Sequence, residues 1–274
     1  MKHFEVKDHE PSFLPDGEWE LVWHDEFDGT ELDTSKWDYR MSMMNKPHPA
    51  WTDKGVTLDG KSHAVFSILP GEDGRPTSSQ LQTGYNFMDE PTQKTTFCKD
   101  HLQWNIGKLK QSKFLHKYGY YECRCRLQQM PGWWSAFWIQ SPIIGASLDP
   151  AESGSEIDIM ESFKPGDVHH HNVFTGGYGL DMRRNQVGGM EVDVKEFHRF
   201  GLLWDETGYT FYVDGKEDGK ITDFISHRPE FILISTEMRG YRYEDHTPTP
   251  EAYAAMEAED TFLVDYIRVF DRKE

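Results

Sequence analysis

An all-β fold, either a two-sheet sandwich or a closed barrel, is what this sequence predicts. Apolar and polar residues alternate with period two along most patterned stretches, and the breaks between them are rich in Gly, Pro, Asn and Asp. Only one short stretch has helical character. The first strand is Glu18-Trp19-Glu20-Leu21-Val22-Trp23, followed by β-rich runs at Gln80 to Thr83 and Tyr121 to Leu127. Trp134 to Ile139 is an aromatic strand, and His169 to Phe174 and Phe200 to Trp204 are further strands. Tyr209-Thr210-Phe211-Tyr212-Val213 runs into Asp214-Gly215, a pair that tolerates positive φ, so a hairpin turns there. Phe231 to Thr236 follows, then the helical Pro250 to Glu257 and a closing strand at Phe262 to Phe270. The polar stretches 41–62 and 70–79 read as long loops, where binding residues concentrate on a sandwich. There is no internal repeat or low-complexity linker. A chain of 274 residues lies within the range of one large β domain, so 1–274 is expected to be a single domain, with 1–17 as an N-terminal extension.

The net charge of −18 and a pI near 5.1 make polyphosphate backbones and anionic lipid surfaces poor partners. No apolar run approaches the roughly 18 residues of a bilayer span, and mean hydropathy is −0.72. Neither nucleic-acid binding nor membrane insertion is expected, and the chain is expected to be monomeric. Met1 to Glu10 lacks the apolar centre of a secretory signal. Cys98, Cys123 and Cys125 cannot make a disulfide framework, and the i, i+2 spacing of the last two is not that of a metal knuckle; all three read as small core residues.

The chemistry concentrates in Ser155-Glu156-Ile157-Asp158-Ile159-Met160-Glu161-Ser162. On a helix its three acids scatter over more than half the circumference. On a strand Glu156 and Asp158 share one face while Ile157 and Ile159 turn into the core. Glu161 then points the wrong way unless one extra residue is inserted, so the spacing predicts a β-bulge at Ile159 or Met160. With it the outer two Cα atoms lie about 13 Å apart, and two long Glu side chains leaning inward approach the ~5 to 5.5 Å separation of a retaining glycosidase. One carboxylate would attack the anomeric carbon and the other protonate the leaving oxygen. Three acids so close cannot all ionise freely, which supplies the proton a general acid needs. A solvated strand face remains the plainer reading of the acids alone.

Aromatic residues make up 14 % of the chain, with nine Trp. In Met130-Pro131-Gly132-Trp133-Trp134-Ser135-Ala136-Phe137-Trp138-Ile139, Trp134 and Trp138 fall on one face and Trp133 and Phe137 on the other. One set fills a core; the other is free to line a cleft, where an indole face stacks on the apolar side of a sugar ring. Trp23, Trp37 and Trp204 read as packing residues, and Trp51, in the polar loop, as a candidate for an outer sugar subsite.

The ordered set of motifs resembles glycoside hydrolase family 16, the laminarinase, agarase and carrageenase group of β-glycanases. Trp23-His24-Asp25-Glu26-Phe27-Asp28-Gly29 with Leu32 to Trp37 looks like the family's opening strand, and Tyr118-Gly119-Tyr120-Tyr121-Glu122-Cys123-Arg124 is similar to its G-x-Y/F-E-x-R strand. Trp134-Ser135-Ala136-Phe137-Trp138 resembles W-P-A-F-W with Ser for Pro, and Glu156 to Glu161 fits the bulged E-x-D-x-x-E signature. Phe197-His198 to Trp204, Tyr212-Val213-Asp214-Gly215 and Val264 to Val269 match the closing strands.

The resemblance implies a concanavalin A-like β-jelly-roll of two antiparallel sheets with a concave cleft, and retention of anomeric configuration. It makes Glu156 the nucleophile, Asp158 the assisting acid and Glu161 the general acid/base. Trp134 and Trp138 would line the scissile region, and His171, beside Asn172, would match a family histidine near it, with His169 on the same face. Trp51, Glu237 and Arg239 complete the candidate substrate-binding set. No cofactor is implied for catalysis. A structural Ca²⁺ on the convex side is implied, with Glu26 and Asp265 at the matching positions, oxygen donors suited to a hard cation. The chain departs from the laminarinases at Leu148 to Gly154, which holds no Trp before the catalytic glutamate, so the resemblance leaves the glycan open. Arg183, Arg184, Arg239 and Arg242 are candidates for a local basic patch facing a sulphated glycan.

The function expected is thus an endo-acting, retaining β-glycanase cutting β-1,3 or β-1,4 linkages of a plant or algal glucan or galactan. A lectin-like binding module has no need of three clustered acids, and a transglycosylase shares the covalent step. A carboxylate metal site built with His169 to His171 lacks a recognisable ligand spacing. A polymeric substrate cannot enter a cell intact, so export, with a trimmed leader, is expected.

Overall fold

The computed structural model describes residues 1–90, 108–168, 170–241 and 247–273. Two large antiparallel sheets face each other, which makes the fold a sandwich and not a closed barrel. One sheet runs, edge to edge, Arg183–Val187, His171–Thr175, Glu156–Lys164, Trp133–Gln140, Phe231–Met238, Gln80–Gln82 and Asp38–Tyr39. The other runs Lys216–Ile221, Gly208–Val213, His198–Asp205, Gly119–Arg126, Thr261–Arg272, Ala64–Ser67 and Val56–Leu58, with Trp19–Asp25 also paired to the long closing strand. The interleaving of strands distant in sequence is the jelly-roll pattern.

Period two does the sorting. From the first sheet Trp133, Phe137, Ile157 and Val173 turn inward; from the second, Cys123, Leu202, Phe211 and Val264 meet them. Cys123 and Cys125 are free and fully buried, and burial pushes the Cys123 thiol well above its ordinary range. Cys98 lies outside the described residues. Trp37 and Trp204 are also fully buried, with the Trp37 indole donating to Asp25 Oδ2 at 2.7 Å, and Trp23 packs against the same core.

The predicted helix is present at Pro250–Glu257, capped by Thr249. The predicted loops carry two-residue ribbons at Ser42–Met43 with Lys46–Pro47 and at Leu69–Pro70 with Pro76–Thr77, and 41–62 is not all loop, since Val56–Leu58 is a strand of the second sheet. The sequence reading missed the edge strand Arg183–Val187, whose five residues are all polar or only half-buried, as edge pairing requires no apolar face.

Residues 1–17 are not a loose extension. Lys2–Phe4 and Ser12–Leu14 form a hairpin tied to the back of the second sheet. Phe13 N donates to Glu122 Oε2 at 3.0 Å, Arg199 Nε to the Pro11 carbonyl at 2.9 Å, and Arg268 Nη1 to Ser12 Oγ at 2.9 Å. The buried carboxylate of Glu122 therefore has donors on the strap as well as on Tyr266.

Candidate active site

The signature strand Glu156–Lys164 pairs with Trp133–Gln140 in a register that opens by one residue: Phe137 stands opposite Met160, but Trp138 stands opposite Asp158. Ile159 is the extra residue, at one of the two positions predicted for the bulge. Glu156, Asp158 and Glu161 consequently face Gln140, Trp138 and Ala136, three alternate positions on one face of the partner strand. All three acids line a cavity of about 450 Å³ on the outer face of that sheet, together with Trp134, Trp138 and Glu237. Trp133 and Phe137 are in the core, as the alternation requires.

Each end of the acid row has its own donors. Glu161 accepts from Trp134 Nε1 on Oε1 at 3.0 Å and from Asn172 Nδ2 on Oε2 at 2.6 Å. Arg184 Nε donates to Asn172 Oδ1 at 2.7 Å, which fixes the amide with its nitrogen toward Glu161. Glu156 accepts on Oε2 from Gln140 Nε2 at 2.9 Å and from the Tyr178 hydroxyl. Trp134 packs at a tilt against Tyr241 and Phe163, and Trp138 donates to Ser235 Oγ at 3.1 Å.

Across the floor, Arg40 donates through Nε to Asp89 Oδ2 at 2.8 Å and through Nη1 to Gln80 Oε1 at 3.3 Å; Gln80 Nε2 in turn donates to Glu237 Oε1 at 2.7 Å. The Arg40 guanidinium lies over both the Trp51 ring and the Trp138 ring. The wall facing this floor is apolar, formed by Met43, Met44, Phe174 and Met182. A cavity with flat rings, an apolar wall and a few oriented acids is suited to a polar ligand with one apolar face, which describes a sugar.

Three predicted binding residues do not reach the cavity. His171 is fully buried between the sheets, stacked on Phe211 at 4.5 Å, with Nδ1 donating to the Ile159 carbonyl at 2.7 Å and Nε2 3.0 Å from Asp218 Oδ2. Burial pulls its pKa below the ordinary histidine value, although Asp218 and the Ile159 carbonyl act in the opposite sense. The cleft-facing positions of its strand are Asn172 and Phe174, the latter opposite Glu156. Trp51 is buried against His48 and Arg40 and supports the floor from below. Arg239 is exposed and outside the cavity lining. Arg183 is also exposed, while Arg184 is engaged with Asn172; His169 and Arg242 lie outside the described residues.

Both predicted cation ligands are engaged by guanidinium groups. Both carboxylate oxygens of Glu26 accept from Arg268, at 2.8 and 2.7 Å, and Asp265 is paired with Arg124. Burial alone would raise the Glu26 pKa, but hydrogen bonds from Arg268 and His24 hold it down to about 2. Two carboxylates each facing a guanidinium do not offer the converging oxygens that Ca²⁺ needs. Among the described residues no group of three or more His, Cys, Asp or Glu is arranged to hold a metal ion.

Sequence reasoning also missed Arg40, Asp89, Gln140, Asn172 and Tyr178. For Asn172 the signal was present: Val173 is apolar and core-bound, so its neighbours on either side must face out.

The profile "Glycosyl hydrolases family 16" matches residues 76–227, more than half of the chain. The chain is 27 % identical to "Glucan endo-1,3-beta-glucosidase A1" of Niallia circulans over 91 % of its own length, and spans 37 % of that protein. It is 25 % identical to "Beta-porphyranase B" of Phocaeicola plebeius, covering 90 % of this chain and 82 % of that one. Among solved structures, the laminarinase from Rhodothermus marinus superposes with a TM-score of 0.66 at 23 % identity, over 94 % of this chain and 99 % of that one, a likeness of fold.

Proposed function

The chain belongs to glycoside hydrolase family 16, and on that premise we propose that it is a retaining endo-β-glycanase that works outside the cytoplasm on a plant or algal polysaccharide. The observation that carries this reading is the bulge at Ile159, which turns Glu156, Asp158 and Glu161 to one face beside Trp134 and Trp138.

In the first half-reaction Glu156 attacks the anomeric carbon, the C1–O bond to the leaving sugar breaks, and the leaving oxygen takes the proton of Glu161. The released chain end departs with that proton. In the second half, Glu161, now a carboxylate, takes a proton from water as the water oxygen bonds to C1, and Glu156 is released as a carboxylate. Asp158 stands between the two on the same face of the strand. Trp134 and Trp138 offer flat surfaces for sugar rings, and the indole N–H of Trp134 orients Glu161 for both proton transfers. The relatives include enzymes named for β-1,3-glucans and for porphyran, so both a neutral glucan and a red-algal galactan are substrate classes to assay.

The test is a panel of laminarin, mixed-linkage glucan, agarose, porphyran and carrageenan, read by release of reducing ends. Wild-type protein should cut at least one to oligosaccharides, and Glu156→Gln should lower that rate by at least about 10³-fold, as loss of a covalent nucleophile does. Equal rates for the two proteins would contradict the reading.

A further inference from the structure

Glu156 receives a hydrogen-bond relay that begins outside its own strand. Asn86 Nδ2 donates to Gln140 Oε1 at 3.3 Å, which sets the Gln140 amide with its nitrogen toward the cleft. Gln140 Nε2 donates both to Glu156 Oε2 and to the Tyr178 oxygen. Because the amide nitrogen can only donate, the Tyr178 oxygen is the acceptor there, and its own proton is directed onward to Glu156 Oε2. Tyr178 reaches this point because the strand His171–Thr175 ends in Gly176 and Gly177, both left-handed at φ +77° and +76°. A Cβ on Gly176 would come within 2.4 Å of the Asp181 carbonyl oxygen, so the turn demands glycine.

We propose that Tyr178 is a further catalytic residue of this cleft, its phenolic O–H holding the negative charge of Glu156 and receiving that charge again when the glycosyl-enzyme bond breaks. The inference rests on Glu156 being the nucleophile. No proton leaves Tyr178: the bond from Glu156 to C1 forms and breaks as described above, and the hydroxyl strengthens or weakens its hydrogen bond as the carboxylate gains or loses charge. A donor on a carboxylate favours the ionised form, so it makes Glu156 both a better anion at rest and a better leaving group in the second half-reaction. Burial, with the Glu156 charge beside it, pushes the phenol well above its ordinary pKa, so it remains a donor throughout the working range. The other titratable groups around Glu156 are Asp158 and Glu161 on its own strand, Arg40, Asp89 and Glu237 across the floor, and Glu230 on the interior side.

Tyr178→Phe removes the hydroxyl and keeps the ring. On the best substrate of the panel its kcat should fall about tenfold, the size expected for a hydrogen bond to a charged group, and the acid limb of kcat/KM should move up by about one pH unit. A kcat within twofold of wild type, or a loss of activity with the acid limb unmoved, overturns the proposal. If the variant melts below the assay temperature, fluorotyrosine installed at position 178, a stronger donor of nearly the same shape, must move the acid limb down; an unmoved limb overturns the proposal equally. An inactive wild type, or a fully active Glu156→Gln, would instead refute the glycanase reading itself, whereas an active wild type with a silent Tyr178→Phe refutes only the role of Tyr178.

Discussion

The Nδ1–H of His171 donates to the carbonyl of Ile159, the one residue of the signature strand that the bulge leaves without a place in the ladder. That contact makes His171 a support of the bulge from within the core. Replacing it by Ala empties a buried ring site and orphans the carbonyl, for a loss of about 2 to 4 kcal/mol. Thermal melting should report that loss while KM of the folded enzyme changes little; a large rise in KM with an unchanged melting temperature would instead make His171 a sugar ligand. The residue was misread from sequence because its strand alternates about Val173: taking Val173 as core-facing puts His171 in the core and hands the cleft to Asn172 and Phe174. Arg40, Asp89 and Tyr178 had no such signal. They come from loops that carry no period, and only tertiary folding brings them to the acids.

At the scale of elements, the bulge carries the site. Its place was legible because Glu161 is an odd number of residues from Asp158, and only an extra residue reconciles three acids with one face. Deleting Ile159 restores an unbroken ladder and leaves Glu161 two residues from Asp158, so the three acids still share one face. Such a deletion should therefore keep measurable hydrolysis in a folded protein, as reducing-end assays and circular dichroism would show; complete loss of activity with the fold intact would mean that the acids need the bulge itself and not only a common face. The N-terminal hairpin is the element that sequence reading valued least. Its strands are only three residues long, yet it covers Glu122 and binds Arg199 and Arg268. One of them, Arg268, also takes both carboxylate oxygens of Glu26, one of the two positions expected for Ca²⁺.

Over the whole molecule, the sandwich and most of its strands were readable from period two, and the acidity divides into solvated surface and a few buried groups. Glu230 is one of the latter, accepting from Ser155 N and Ser155 Oγ directly before the catalytic strand. Burial pushes its pKa up to about 8 from an ordinary 4.5, with the charge of Glu156 acting in the same sense and hydrogen bonds from Ser226 and Ser155 acting against. The folded protein thus favours the neutral acid. Its contribution to stability is complete below pH 4.5, declines as the unfolded chain ionises first, and is lost once pH passes about 8. Between pH 5 and 9 the melting temperature of wild type should therefore fall relative to that of Glu230→Gln, which has no proton to lose; a constant difference between them would contradict a neutral Glu230.

In the proposed mechanism Glu156 and Glu161 act in turn on one anomeric carbon within a single cleft. The most direct measurement is proton NMR of the newly formed reducing end, followed from the first seconds of hydrolysis of the preferred β-glycan. Double displacement predicts that the β-anomer appears first and mutarotates to the equilibrium mixture. Initial appearance of the α-anomer would mean a single displacement by water, and Glu156 would not be the nucleophile.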